Sequence, residues 1–219
     1  MLKKTSVLLL LMVHILLVMY LFWKQEYQFT QPTPIPEGFQ EAEVGKSLDF
    51  QNTPLDGHPT PMFIHYFNDE CPCSQFNLKS FRQLYQQYKD SLHFVVVVEH
   101  GKSIESIAAD FPKGIELISD TPDAHIAVAC GVYATPQAII VDEQQHLYYK
   151  GNFNKARYCT QKGSNYALLA TEQYLAGSPP PFFGWSAVQA YGCSLSIYDS
   201  TQYRNPLADL YSILSDNNH

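Results

Sequence analysis

The chain has 219 residues, of which 46% are hydrophobic, and it carries a formal net charge of −7 at pH 7. This length and apolar content suffice for one domain with a hydrophobic core. The 21 acidic residues outnumber the 14 basic ones, and no run of lysine or arginine extends beyond Lys3 and Lys4. Because phosphates are held by clustered positive charge, the composition argues against nucleic acid as a partner.

Residues 6–23 form an apolar run without a formal charge. A helix of this length can cross the hydrocarbon core of a bilayer, which takes about 17 to 25 residues. The run is longer than the apolar core of a usual signal peptide, and no A-x-A-like cleavage site follows it, so an anchor is favoured over a cleaved signal. The lysines before it predict that residues 1–24 are a cytoplasmic stub and single-pass anchor in a bacterial inner membrane.

The positive-inside rule then places the rest of the chain in the periplasm, an oxidising compartment in which disulfides form. Residues 25–43 contain the proline-rich stretch QPTPIP and few apolar side chains, which predicts an extended tether between membrane and domain. The domain itself is predicted over residues 44–177, and residues 178–219, which open with SPPP, form a C-terminal extension.

The pattern of apolar residues within the domain alternates between strands and helices. Residues 63–67 and 93–99 are rich in aromatic and β-branched side chains and predict buried strands, the second of them a central parallel strand. A helix is predicted after each strand. The first is indicated by apolar residues at helical spacing, namely Phe81, Leu84, Tyr85 and Tyr88, and the second is predicted over residues 103–111. A short helix over residues 123–130, a hairpin of residues 137–142 and 146–150, and a last helix ending at Gly177 complete an α/β pattern.

Two of the five cysteines, Cys71 and Cys73, lie in the stretch NDECPCSQFN, between the first strand and its helix. A cysteine at a helix N-terminus has its thiolate stabilised by backbone N–H groups and the helix dipole, so Cys71 is expected to be a nucleophile. Pro72 is tolerated in the first turn, where its missing N–H costs least. A Cys71–Cys73 disulfide would close a tight ring, which favours reduction, whereas a static staple at this spacing would stabilise little.

The cysteine motif, the run GVYATPQAIIVD at residues 131–142, and the final hairpin and helix resemble the thioredoxin-like superfamily over residues 44–177. The fragments CPCSQFN, RYCT and GCS are similar to a group of membrane-anchored redoxin-domain proteins of Gram-negative bacteria. The resemblance implies a central mixed sheet flanked by helices, with an N-terminal transmembrane helix and a C-terminal extension packed on the domain.

The resemblance further implies a thiol–disulfide oxidoreductase that acts on protein thiols and disulfides in the periplasm, with Cys71 as nucleophile and Cys73 as resolving cysteine. Pro136 matches the family's cis-proline, and with Thr135 it is expected to guide an extended substrate backbone. His65 falls where many thioredoxins place a buried carboxylate, so it is expected to take a proton from Cys73, with a core histidine as the alternative. No cofactor and no resident metal are implied.

The remaining cysteines are expected to play structural parts. Cys159 lies in the loop between the hairpin and the final helix, and Cys193 lies in the extension. A Cys159–Cys193 bridge would tie the extension to the domain and stabilise it by about 3 to 4 kcal/mol, while a resolving or relay role for either cysteine is the alternative. Cys130 is expected to be a small buried hydrophobe.

Three other functions are open at this stage. A peroxidase would resemble P-x-x-x-T-x-x-C, but Asn68 and Glu70 stand where the threonine is needed. A Cu(I)-binding assembly protein of the same fold could use the two thiolates with His100 or His125, although nothing in the spacing selects either histidine. A redox-inactive binding module would instead use the many tyrosines and the aromatic extension as a contact surface.

Overall fold

The computed structural model describes residues 2–25, 27, 31–155 and 162–198. The helices are α1 (Leu2–Gln25), α2 (Pro72–Tyr88), α3 (Ile104–Ile107), α4 (His125–Cys130), α5 (Tyr166–Leu175) and α6 (Trp185–Val188). The strands are β1 (Met62–Phe67), β2 (His93–Val98), β3 (Glu116–Ser119), β4 (Ala134–Thr135), β5 (Gln137–Val141), β6 (Leu147–Gly151) and β7 (Cys193–Ser194). Short 3₁₀ turns cover Ala108–Asp110 and Lys162–Ser164.

Five strands form one mixed sheet in the order β3-β2-β1-β5-β6. Strands β1, β2 and β3 are parallel, and β5 and β6 are antiparallel to their neighbours. All six residues of β1 are buried, as expected for a strand with helices on both faces. With α2 following β1 and α5 following the β5–β6 hairpin, this topology confirms the α/β class and the thioredoxin-like arrangement.

The alternation of side chains along β1 divides the core into two layers. Phe63 and Phe67 pack on the face covered by α2 and α5, together with Phe81 and Ala170. Met62, Ile64 and Tyr66 pack on the opposite face, with the side chains of α4 and of the 48–55 segment. Because successive side chains of a strand point to opposite faces of the sheet, the apolar strand β1 contributes to both layers.

Helix α4 is short and buries one face, and side chains from the preceding loop satisfy its first backbone N–H groups. The Asp120 carboxylate accepts hydrogen bonds from the backbone N–H of Ile126 and of Ala127, both at 3.0 Å. The Thr121 hydroxyl accepts one from the N–H of His125 at 2.9 Å. The Tyr66 hydroxyl also donates a hydrogen bond to the Asp120 carboxylate at 2.7 Å. One buried carboxylate therefore joins α4 to the central strand β1.

Asp120→Asn is expected to lower the free energy of unfolding by about 2 to 4 kcal/mol, because the amide turns a donor toward groups that themselves donate. The carboxylate is almost fully buried, so water cannot replace the lost acceptor. Urea unfolding monitored by circular dichroism measures the difference. The control is Asp49→Asn at an exposed position that also accepts a backbone N–H, and an equal effect of both substitutions would contradict this account.

The structure differs from the sequence analysis at one edge of the sheet. Strand β3 was not predicted, yet it pairs in parallel with β2, with Glu116 opposite Val95. Its sequence, ELIS, is short and half polar, and only one of its four residues is buried, so neither periodicity nor apolar content marks it. The helix expected over residues 103–111 is present as α3 and the 3₁₀ turn that follows it.

The N-terminal helix α1 is exposed throughout its described side chains, and within it Lys4–Lys24 is long and apolar enough to cross a membrane. Part of the segment predicted as an extended tether packs on the domain. The backbone N–H of Thr33 donates to the carbonyl of Ala190, and Lys150, which is buried, pairs with Glu41 at 3.3 Å. Residues 182–198 of the extension also lie against the domain, while residues 199–219 are outside the described part.

Candidate redox site

Cys71 lies at the junction of β1 and α2. Its extended backbone, with φ −87° and ψ 116°, makes it the N-cap of α2, and Pro72 follows in the first turn. The carbonyl of Cys71 accepts the first bond of the helix from the N–H of Gln75 at 3.1 Å. The Cys71 side chain therefore sits beside the unpaired N–H groups of the helix, where a thiolate is stabilised.

The structure bonds Cys71 to Cys193, across 122 positions of sequence, with the two Cα atoms 5.9 Å apart. The sequence predicted a Cys159–Cys193 disulfide, and this prediction is wrong, because Cys193 is bonded to Cys71. Cys159 itself lies outside the described residues. The physical reason for the difference is that β7 pairs with β4, and this register sets Cys193 opposite Thr135.

Cys73 lies within the first turn of α2 and is fully buried. It forms one contact cluster with Cys71, Tyr191 and Cys193, and it is bonded to neither of these two cysteines, which are bonded to each other. The predicted Cys71–Cys73 bond is thus absent from this structure, although both residues are at the same site. Of the four cysteines that the structure describes, three meet there.

The backbone before Pro136 carries the short strand β4. The Thr135–Pro136 peptide bond is cis, as the resemblance implied. β4 pairs with β7 in antiparallel fashion, and the carbonyl oxygen of Thr135 lies 3.5 Å from Sγ of Cys71. The chain's own extension therefore occupies the place where an extended substrate was expected to pair by strand addition.

Hydrogen bonds hold residues 190–196, which we term the C-terminal strand segment, on both sides of the disulfide. The N–H of Ala190 donates to the Tyr133 hydroxyl, and the N–H of Leu195 donates to the Tyr133 carbonyl, both at 3.0 Å. The N–H of Ser196 donates to the buried Glu99 carboxylate at 2.8 Å. These bonds and the β4–β7 pairing hold the segment against the domain on both sides of Cys193.

Gly192 lets this segment approach β4 closely. Its φ is +141°, and a Cβ built there would stand 1.9 Å from the carbonyl oxygen of Thr135 and 3.4 Å from Cδ of Pro136. The first distance is far below any contact that a side chain can make, and the obstructing atom is backbone. Glycine is therefore required next to Cys193 for the disulfide to form in this arrangement.

A chain of buried amides extends below the cysteines. Nδ2 of Asn77 donates to the carbonyl of Cys73 at 3.0 Å, and Nδ2 of Asn154 donates to Oδ1 of Asn77 at 2.6 Å. The Tyr191 hydroxyl donates to the Asn154 carbonyl at 2.9 Å. The hydroxyl of Thr135, the residue whose backbone carbonyl lies next to Cys71, is buried and has no hydrogen-bond partner among the described residues.

His65 is enclosed by aromatic rings of the core. Its ring centroid lies 4.7 Å from that of Phe81 and 4.6 Å from that of Phe153. Desolvation by burial lowers its pKa to about 3, although the Gln137 carbonyl 3.5 Å from Nδ1 acts in the opposite direction. A side chain with this pKa is neutral at pH 7 and holds a proton poorly, which favours the core position over the role of proton acceptor.

The family model described as "Domain of unknown function (DUF6436)" matches residues 41–194. The chain belongs to the DUF6436 family. The matched span begins in the predicted tether, at the residue whose carboxylate pairs with Lys150, and ends at Ser194, the last residue of β7. The DUF6436 domain thus includes Cys71, Cys73 and Cys193, and it reaches beyond the domain end predicted at residue 177. A search of the curated proteins gives no match.

Among solved structures, the chain is similar to an uncharacterised conserved protein from Geobacillus kaustophilus, with 14% identity, a TM-score of 0.49, and 75% of this chain and 95% of that chain covered. It is also similar to a hypothetical protein from Sinorhizobium meliloti, at 20% identity, TM-score 0.47 and coverage of 61% and 77%. A third similar structure is an exposed lipoprotein thioredoxin from Streptococcus pneumoniae, at 15% identity, TM-score 0.41 and coverage of 54% and 87%.

Cys71, Thr135 and Pro136 were predicted from the sequence, and the structure brings these three together. Cys193 was expected in a structural bridge, with a resolving or relay role only as the alternative, and Gly192 and Tyr191 were not predicted at this site. The signal available in the sequence was the glycine directly before Cys193 in GCS, since glycine beside a cysteine permits close approach of another backbone.

Proposed function

We propose that this DUF6436 chain is a membrane-anchored thiol–disulfide oxidoreductase with Cys71 as its reactive cysteine. The observation that carries the proposal is the Cys71–Cys193 bridge, formed in an antiparallel strand pair directly before cis-Pro136. A sulfur at a helix N-terminus, bonded to a cysteine on a paired strand, has the arrangement of a mixed disulfide between a redox protein and an extended substrate. In this protein, the same chain supplies both the reactive cysteine and the strand that carries its partner cysteine.

The exchange begins with Cys73. Its thiolate attacks Sγ of Cys71, the Cys71–Cys193 bond breaks, and Cys193 leaves as a thiolate that takes a proton. This step converts one disulfide into another without net oxidation. It frees the C-terminal strand segment from its covalent link, so that the segment can leave β4 and expose the strand to a substrate.

A substrate dithiol can then be oxidised at the opened site. One substrate thiolate attacks Sγ of Cys71 and displaces Cys73, and the second attacks the substrate sulfur of the mixed disulfide and displaces Cys71. The substrate loses two electrons and two protons, and the chain gains them as two thiols. The reverse sequence reduces a substrate disulfide. Thr135 and Pro136 guide the substrate backbone, which takes the place of β7.

The site faces the periplasm in this proposal. Helix α1 anchors the chain, Lys3 and Lys4 stay on the cytoplasmic side, and the domain follows on the other side. An oxidising compartment suits a resting state with a formed disulfide. The reaction partners are thiols and disulfides of other periplasmic proteins.

Cys71→Ser is expected to lower the rate of thiol–disulfide exchange with a disulfide-bonded model peptide by about 100-fold or more, because serine cannot form the mixed disulfide. The assay follows peptide reduction by the full-length chain in detergent with glutathione as electron donor. The matched control is Cys130→Ser. Cys130 is buried in the core layer that contains Met62, Ile64 and Tyr66, away from Cys71, and burial raises the pKa of its thiol. Unchanged exchange in Cys71→Ser would disprove the proposal.

A trapping experiment tests whether Cys73 and Cys193 resolve mixed disulfides formed at Cys71. In membranes that contain Cys73→Ser/Cys193→Ser, both resolving thiols are gone, and Cys71 should accumulate as mixed disulfides with partner proteins that reducing agent releases. A third substitution, Cys71→Ser, serves as control and should remove these adducts. Equal adduct formation with and without Cys71 would mean that the reactive thiol is another one.

A further inference from the structure

A cluster of three metal-ligating side chains lies at the other end of the sheet from the cysteines. Nε2 of His58 is 2.8 Å from one carboxylate oxygen of Glu116, and Nε2 of His93 is 3.1 Å from the other. The three ligand atoms all lie within 4.8 Å of one another. No side chain of the redox site belongs to this cluster.

The sheet itself brings two of the three residues together. His93 begins β2, and its side chain is on the same face as that of Val95, two residues further along. Glu116 begins β3 and is the register partner of Val95, which places it on this face beside His93. The N–H of His93 donates to the Pro61 carbonyl at 3.0 Å, so the strand start is fixed before any ion arrives.

His58 arrives from a different part of the chain, the loop before β1. Its N–H donates to the Leu55 carbonyl at 3.1 Å, and Leu55 is fully buried, so the loop is anchored in the core. The His58 and His93 ring centroids are 5.7 Å apart, with the rings tilted by 44°. Both imidazoles therefore aim their Nε2 atoms at one carboxylate from two directions.

We propose that His58, His93 and Glu116 form a binding site for a divalent transition-metal ion of the zinc type. Zinc takes imidazole nitrogens at about 2.0 to 2.1 Å and carboxylate oxygens at about 2.0 to 2.2 Å in tetrahedral geometry, so neighbouring ligand atoms stand about 3.4 Å apart. The observed separations of 2.8 and 3.1 Å reach this value after small side-chain movements. Two imidazoles and one carboxylate leave the fourth position for water.

Charge and access suit such an ion. Glu116 brings a carboxylate to the two imidazoles, which gives the cluster the oxygen ligand and the negative charge that a divalent cation requires. The side chains of His58, His93 and Glu116 are 19%, 31% and 40% exposed, so an ion can reach them without unfolding. His93 also lines an open surface cleft with Pro59 and Gly114, which offers the approach.

The ion would tie the loop before β1 to the edge of the sheet. Without it, β3 is held by its pairing with β2 and by the bonds of Glu116 to the two histidines, and it is the least buried strand of the sheet. His93 starts β2, whereas Cys71 follows the end of the parallel strand β1, so the two sites are separated by about the length of a six-residue strand, roughly 20 Å. Loss of one site therefore leaves the chemistry of the other intact.

The experiment is a titration of the full-length chain, in detergent, with zinc chloride by calorimetry after its thiols have been alkylated. We expect one bound ion per chain, and an affinity loss of about tenfold or more in His58→Gln, His93→Gln and Glu116→Gln, each of which removes one ligand. The matched control is His146→Gln, because His146 also pairs with a carboxylate, that of Asp142, but belongs to no three-ligand cluster within the described part of the chain.

The outcomes separate clearly. Stoichiometric binding that survives in His146→Gln and is weakened in the three ligand variants supports the site. Absence of binding in the unmodified chain, or equal binding in the ligand variants, overturns it. Should His93→Gln fail to fold, His58→Gln keeps the test decisive, since His58 lies outside the strands; circular dichroism without metal shows which variants are folded.

Discussion

Replacing Gly192 with alanine is expected to lower the equilibrium constant for the Cys71–Cys193 disulfide, measured against glutathione, by about 100-fold, equivalent to about 2.7 kcal/mol. The methyl group would stand 1.9 Å from the Thr135 carbonyl oxygen, so the backbone must move apart. The movement breaks the β4–β7 pairing and disturbs the bond from Thr33 to the Gly192 carbonyl. Each lost backbone hydrogen bond costs about 0.5 to 1.5 kcal/mol, and a few together reach the expected value.

The measurement is mass-spectrometric mapping of the disulfides in the full-length chain, equilibrated over a series of glutathione ratios. The matched control is Gly184→Ala, because Gly184 also has a positive φ, +88°, and lies in the same extension, but no atom stands within 4 Å of an added Cβ. We expect Gly184→Ala to leave the Cys71–Cys193 equilibrium in place. If Gly192→Ala behaved like this control, close packing on Thr135 would not be what sustains the bridge.

The Gly192→Ala variant also tests whether the C-terminal strand segment blocks the substrate site. With the segment displaced, reduced Cys71 becomes accessible, and its alkylation by a maleimide should accelerate by about tenfold or more, as expected for a thiolate that moves from a buried to an exposed position. Cys71 is fully buried in the present structure. Alkylation at the original rate would mean that another element covers the cysteine.

Much of the fold could be predicted because its signals are local. The apolar β-branched run of β2, the helix period from Phe81 to Tyr88, and the hairpin of β5 and β6 each follow from a few neighbouring residues. The position of Cys71 at the start of α2 follows equally from the order of strand, cysteine, proline and helix. These features are fixed by spacing, and the structure confirms them.

The rest depends on contacts between distant parts of the chain. Five cysteines allow many pairings, and sequence alone does not select among them. The choice of Cys193 as partner of Cys71 depends on the β4–β7 register, across two-residue strands that carry no periodic signal. The segment around Thr33 was assigned to the tether because its prolines argue for extension, while its burial comes from contacts with residues near Ala190.

Acidification is expected to destabilise the domain through His65 as the pH falls from about 6.5 toward about 3. In the unfolded chain this imidazole takes up a proton near pH 6.5, whereas burial lowers its pKa in the folded domain to about 3. The unfolded state then binds more protons over this range, so stability falls with falling pH and levels off below pH 3. At about 1.4 kcal/mol per pH unit, the total is about 5 kcal/mol, a large part of the stability of an ordinary domain.

Urea unfolding at a series of pH values, compared between the unmodified chain and His65→Leu, isolates this contribution. Leucine fills a similar volume among the phenylalanine rings and removes Nε2, which has no hydrogen-bond partner among the described residues. The carboxylates titrate alike in both proteins, so the difference between the two pH profiles belongs to His65. His100→Gln, at an exposed position, is the control and should keep the original profile. Parallel profiles for His65→Leu and the unmodified chain would show that His65 finds a proton-accepting neighbour or water when it charges, which would restore it as the candidate proton acceptor for Cys73.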